Sequence, residues 1–184
     1  MALQGDPWWE RLVGSRHGVL VGAIHLSERQ VGPASMRRDA MNATSTDLDA
    51  FRHRGGKLVL WHGWSDQGLS AQNTVDYYEE VLARDPEAND YARLFLLAGV
   101  MHCGGGEGPS IVDWLGVLED WVERGQAPDR ILAGKPAAPP PGTLRLERER
   151  PICAYPRIAR YNGSGDPDVA ESYSCDSVVA SPAH

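Results

Sequence analysis

What this 184-residue sequence lacks already narrows its function. No run reaches the ~18 consecutive apolar residues of a membrane-spanning helix, so no such helix is encoded. The opening, Met1-Ala2-Leu3-Gln4-Gly5-Asp6, has neither the basic start nor the apolar centre of a signal peptide. Taken alone, that implies either a cytoplasmic chain or a natural start further upstream. Positive charge is scarce as well: 18 Lys and Arg stand against 25 Asp and Glu, a net charge of −7. Nucleic-acid binding needs a concentrated basic face, and that class is excluded. The one local basic cluster, Arg145, Arg148, Arg150, Arg157 and Arg160, is interleaved with glutamates and reads as solvated surface. Cysteine is rare and odd in number, three in all, which leaves at least one thiol free or paired outside the chain. No internal repeat is visible.

What is present is an ordinary globular composition, 42% hydrophobic and 23% charged, long enough for one real core. Residues 51–133 carry the regular pattern. A strand is expected over 57–62. Ser70 then caps a helix over 71–84, where Val75, Tyr78, Val81 and Leu82 share one face and Asp85-Pro86 forms the stop. A second strand is expected over 92–98. Ser110 is expected to cap a second helix whose stripe is Ile111, Trp114, Leu115, Leu118, Trp121 and Val122, with Asp113 in the capping-box position. Gly125 closes it. Both strands are apolar throughout, as central parallel strands covered on two faces should be. Residues 1–50 are poorly patterned, a lid or linker remnant, with a strand-like run at 18–24 and a short helix near 47–51 for which Thr46 is the expected N-cap. Residues 134–142 form a proline-rich linker, and 143–184 a mostly irregular tail.

The chemistry sits at the strand ends. Asp66 follows the first strand through Gly63-Trp64-Ser65, and His102 follows the second, on a turn continued by Cys103-Gly104-Gly105-Gly106. An acid after one strand and a histidine after the next is the order of acid and base in an α/β-hydrolase, whose nucleophile lies earlier in the chain. No Gly-Xaa-Ser-Xaa-Gly pattern occurs. Ser15, Ser27, Ser35, Ser45 and Ser65 precede Asp66, and none of Ser15, Ser35 or Ser164 has the context of a nucleophile turn. The bland alternatives are that Asp66 caps its turn and His102 is a satisfied, half-buried imidazole. His62, Asp66, His102 and Cys103 also form a mixed N/O/S set of the kind zinc accepts. A Cys103–His102 nucleophile pair is disfavoured, since neighbours on one loop usually point apart. Of the tryptophans, Trp61, Trp114 and Trp121 lie on core stripes, whereas Trp64 is placed to be a substrate wall.

Several longer words surround these residues: Gly55-Gly56-Lys57-Leu58-Val59-Leu60-Trp61-His62-Gly63-Trp64-Ser65-Asp66; Asn73-Thr74-Val75-Asp76-Tyr77-Tyr78-Glu79; His102-Cys103-Gly104-Gly105-Gly106-Glu107-Gly108-Pro109; Leu118 to Gly125; and Arg150-Pro151-Ile152-Cys153-Ala154-Tyr155-Pro156 running to Tyr161-Asn162-Gly163-Ser164-Gly165-Asp166. In this order, over about residues 42–175, they resemble the C-terminal part of the tannase and feruloyl esterase family of α/β-hydrolases. The resemblance implies an α/β-hydrolase fold represented by its last strands and helices, plus an irregular, disulfide-pinned C-terminal tail. It implies Asp66 as the triad acid and His102 as the general base. Cys103 matches the cysteine that in the family bonds to one beside the nucleophilic serine, and here it should be a free thiol. Cys153 and Cys175 match the family's C-terminal disulfide, and a secreted or periplasmic setting suits them. Neither cofactor nor metal is implied by these residues, and the substrate would be a small aromatic ester, feruloyl or galloyl.

The family's nucleophile turn, Cys-Ser-Xaa-Gly-Gly, is absent. Three readings follow: a serine esterase of phenolic esters, a catalytically silent truncated remnant or binding domain of that fold, and an enzyme whose serine comes from a separate chain. Two strands alone would leave an open sheet edge, which favours self-association.

Overall fold

The computed structural model describes residues 44–137 and 145–177. The strand-like run at 18–24, the serines at 15, 27 and 35, and most of the proline-rich stretch lie outside them. Along the chain the elements are α1 (Asp49–His53), β1 (Leu58–Gly63), α2 (Ala71–Arg84), β2 (Ala92–Leu97), α3 (Trp114–Arg124), β3 (Arg130–Pro136), β4 (Leu146–Cys153), β5 (Arg157–Tyr161) and β6 (Tyr173–Ser177). Single 3-10 turns cover Ala88–Asp90 and Ala170–Ser172.

β1 and β2 pair in parallel, from Leu58 opposite Ala92 to Gly63 opposite Leu97. Side chains alternate across a strand, so strands with apolar residues on both sides supply two cores at once. Leu58, Leu60, Leu94 and Leu96 meet Val75, Tyr78 and Val81 of α2 on one face. Val59, Trp61, Phe95 and Leu97 meet Val112, Trp114, Val117, Ile131 and Ile152 on the other. Trp61 stacks on Trp114 with ring centres 5.5 Å apart. Trp121 is buried, with Lys57 and Arg93 over its ring.

α2 has the bounds its periodicity predicts, with Ser70 in the N-cap position but no capping bond from its side chain. The last helix begins later than expected. Ile111 is held in a bridge with Gly134, its N–H donating to Gly134 O and its carbonyl accepting from Gly134 N, at 3.0 and 2.8 Å. With that backbone committed, Ser110 cannot cap. The N-cap is Asp113, whose carboxylate accepts from Gly116 N at 2.9 Å. Ile111 therefore leaves the helical stripe, and Val122 is exposed. Gly125 ends α3 in the left-handed conformation, at φ 67°. Thr46 likewise does not cap α1, where Leu48 takes that position.

The C-terminal part is more regular than its prolines and glycines suggest. Gly134, Lys135 and Pro136 complete β3, antiparallel to β4, instead of opening a linker. β5 and β6 form a second antiparallel pair. Ala154 bridges to Phe95, and Tyr155 N donates to Leu94 O at 2.8 Å, so the end of β4 closes the outer edge of β2. Cys153 and Cys175 are disulfide-bonded and fasten β6 to the end of β4. The arginines of this region are mostly paired: Arg150 and Arg157 reach Asp168 and Asp129 at 3.1 and 3.3 Å, and Arg150 lies over Tyr173.

The disulfide joins residues 22 apart in sequence, and closing a loop of that length is worth on the order of 3 kcal/mol. Cys175→Ser should lower the urea midpoint accordingly. An unchanged midpoint would mean that the β5–β6 pair is held by its packing alone.

Candidate active site

Where β1 and β2 end, their loops are forced together. Trp64 N donates to Leu97 O at 2.9 Å, and Ser65 N to Val100 O at 3.0 Å. Gly63 makes this crossing feasible, because a Cβ there would lie 2.5 Å from the carbonyl oxygens of both Val100 and Met101. The next turn is equally specialised. Cys103, Gly104, Gly105 and Gly106 all have positive φ, from 58° at Cys103 upwards. Three glycines in succession accept that path without strain, and it folds Gly106 back to bridge Val100. His102 stands at the start of the turn, half exposed.

Asp66 and His102, 36 residues apart, meet at this crossing, with His102 Nδ1 2.7 Å from Asp66 Oδ2. Facing a carboxylate, Nδ1 carries the proton and donates. The other carboxylate oxygen, Oδ1, accepts from Gly68 N at 2.8 Å and Leu69 N at 3.0 Å. Asp66 thus does cap its own turn, with one oxygen, while the other holds the imidazole. Its side chain is only 3% exposed. Burial pushes the Asp66 pKa up, but hydrogen bonds from His102, Leu69 and Gly68 and the charge of His102 outweigh burial and hold it well below the ordinary carboxylate range.

A second imidazole shares this carboxylate. His62, the penultimate residue of β1, places Nε2 3.3 Å from Asp66 Oδ2, and its Nδ1 lies 2.7 Å from Thr74 Oγ1 on α2. Sequence reasoning raises His62 only as a metal ligand. The signal that would have found it is its i, i+4 relation to Asp66 across a sharp turn. Among the described residues no group of three or more His, Cys, Asp or Glu side chains is gathered as a metal would need.

The remaining candidates separate in space. Cys103 is an exposed free thiol. Cys153 and Cys175 are bonded to one another in the C-terminal part. Trp64 is 52% exposed and stands at a largely apolar cleft of ≈ 680 Å³ that also involves Leu96, Gly99, Pro109, Tyr155 and Ile158. Neither Asp66 nor His102 lines that cleft.

Comparison with known proteins shows the family. A family model described as tannase and feruloyl esterase matches residues 23–176. This chain belongs to the tannase and feruloyl esterase family. Among its relatives in that family, a mono(2-hydroxyethyl) terephthalate hydrolase of Piscinibacter sakaiensis is 51% identical over 138 residues, which is 74% of this chain and 22% of that protein. A probable feruloyl esterase of Arthroderma benhamiae is 39% identical over 137 residues, 72% of this chain and 25% of that protein. The crystal structure of feruloyl esterase B from Aspergillus oryzae superposes with a TM-score of 0.68 at 26% identity, covering 77% of this chain and 32% of that one. The fold is of the α/β-hydrolase type, and the chain spans about a quarter of the length of these curated relatives.

The depressed Asp66 pKa fixes the sign of one pH effect. A carboxyl that binds its proton less readily when folded stabilises the fold above its unfolded pKa, near 3.8, and loses that contribution as the pH falls below it. In urea unfolding followed across acidic pH, the stability gap between the native chain and Asp66→Asn should be widest above 3.8 and narrow below it. A gap that grows on acidification would contradict the geometry.

Proposed function

We propose that this chain supplies the acid and base of a serine carboxylic ester hydrolase acting on esters of aromatic acids. The observation that carries the reading is the 2.7 Å bond from His102 Nδ1 to a buried Asp66 whose second oxygen is fixed by two backbone amides. Asp66 orients the imidazole and stabilises its protonated form, which turns Nε2 toward a substrate-side hydroxyl. A serine oxygen attacks the ester carbonyl carbon while its proton passes to His102 Nε2. The imidazolium then gives that proton to the departing alkoxide, leaving an acyl-serine and a free alcohol. Water repeats the sequence, with the same base, and releases the acid. No serine is named here as the nucleophile and no backbone amide as an oxyanion donor.

The aromatic class rests on the relatives, whose names specify terephthalate and feruloyl esters, and feruloyl or galloyl esters remain the phenolic candidates. Trp64, exposed at the cleft beside the Asp66 loop, offers a flat apolar wall to such a ring. A disulfide in the C-terminal part suits a secreted or periplasmic setting.

Treatment of the purified chain with a fluorophosphonate, read by intact mass beside His102→Ala, tests the assignment. A single adduct that disappears in His102→Ala supports it, and peptide mapping names the serine. Asp66→Asn should slow that labelling by on the order of 10⁴-fold. A folded chain that takes no adduct points instead to a silent domain of this fold, or to a serine brought by a separate chain.

A further inference from the structure

Asp66 Oδ2 has two imidazoles beside it, and the proposed function uses one. The side chain of His62 is nine-tenths buried. Its Nε2 is within 3.3 Å of Asp66 Oδ2, yet it has no aligned hydrogen-bond partner. A buried ring nitrogen without a partner is costly and calls for a reason. Its other nitrogen is not idle, since Nδ1 lies 2.7 Å from the hydroxyl of Thr74, itself buried on α2.

The two neighbours of His62 decide its tautomer. A hydroxyl both donates and accepts, whereas a carboxylate only accepts. If neutral His62 carried its proton on Nδ1, the Nε2 lone pair would face a carboxylate oxygen in a dry setting. If it carries the proton on Nε2, Thr74 donates to Nδ1 and the N–H faces the anion. Only the second arrangement sets opposite partial charges together at both ends of the ring.

We propose that Thr74 and His62 form a positioning pair for the Asp66–His102 couple, with Thr74 locking His62 as the Nε2–H tautomer so that it becomes a neutral donor to Asp66 Oδ2. Each carboxylate has four lone-pair directions. Gly68 N and Leu69 N take those of Oδ1 and His102 Nδ1 takes one of Oδ2, while His62 Nε2 lies 3.3 Å from Oδ2 without an aligned bond. A neutral donor holds the carboxylate against rotation without putting a second cation beside the imidazolium that His102 becomes in the reaction. At 3.3 Å the two atoms are close enough that a small rotation of the imidazole or the carboxylate would align the bond the proposal requires. His62 acts through Asp66, so it is a positioning residue and not a catalytic one. The inference rests on the roles given above to Asp66 and His102.

The test needs no turnover. Nitrogen-15 NMR of the full chain labelled at histidine, at about pH 8 where imidazoles are ordinarily neutral, reads the tautomer of His62 directly. Proton spectra of the same sample read the low-field resonance of the His102–Asp66 hydrogen bond. The expected result is His62 protonated on Nε2 in the native chain and in Thr74→Ser, with a shift to Nδ1–H or a mixture in Thr74→Val. The low-field proton should be retained in Thr74→Ser and lost or broadened in Thr74→Val and His62→Phe. A native His62 protonated on Nδ1 overturns the proposal, even if the variants fail to fold. A low-field proton indifferent to both Thr74→Val and His62→Phe also overturns it. If that proton is missing from the native chain, the Asp66–His102 pairing itself fails, and the His62 tautomer still decides the proposal.

Discussion

A carboxylate taken out of water has to be paired on every side, and in this chain that constraint falls on Asp66. Backbone amides of its own turn take one oxygen, and a histidine from the following strand's loop takes the other. The amides are local to the turn, but the histidine would not be in place unless the loops after β1 and β2 crossed closely, and the crossing depends on the missing side chain at Gly63. The succession of positive φ angles from Cys103 to Gly106 then returns the chain below His102 and leaves the imidazole half exposed. Acid and base thus sit on the loops just past two paired strands, and backbone bonds from Trp64 to Leu97 and from Ser65 to Val100 tie those loops together.

The strand pair that carries them is held from both sides. α2 covers one face through Val75, Tyr78 and Val81, while α3 and the β3–β4 pair cover the other. The edge of β2 is sealed by Ala154 and Tyr155, which ties the C-terminal part to the site-bearing strands through backbone bonds as well as through apolar contact. α2 has a double part, since Thr74 on its buried side reaches His62. The helix that builds the core also reaches the imidazole next to Asp66.

Relatives that share the family carry this segment as about a quarter of their length. Within the described residues the segment brings together an anion, its hydrogen-bond donors and an imidazole. The exposed Cys103 thiol and the exposed Trp64 flank that group in sequence, each on its own side.

Much of this was legible in the residues alone. The strands at 57–62 and 92–98 announce themselves as short apolar runs and the helix at 71–84 by its three- and four-residue apolar spacing, and both are local properties. Asp66 and His102 stand out because polar, titratable residues follow apolar strands at equivalent edges. Two of the differences share a cause, a long-range hydrogen bond that overrides a local preference. Ser110 has good capping chemistry but loses to Asp113 because Ile111 is held by Gly134, 23 positions away. The residues Gly134-Lys135-Pro136 read as a linker and become strand because β4 returns alongside them. His62 reads as one more histidine at a strand end, and only packing shows it beside Asp66 and Thr74. The sequence by itself determined which residues form the strands, which helix covers them, and that an acid and a histidine lie at their ends, since each follows from side-chain pattern within a few turns of chain. The tertiary structure alone decided that these two groups touch, that one is buried and the other half exposed, and that a second imidazole stands behind them, because contact, burial and hydrogen-bond alignment depend on where distant segments meet.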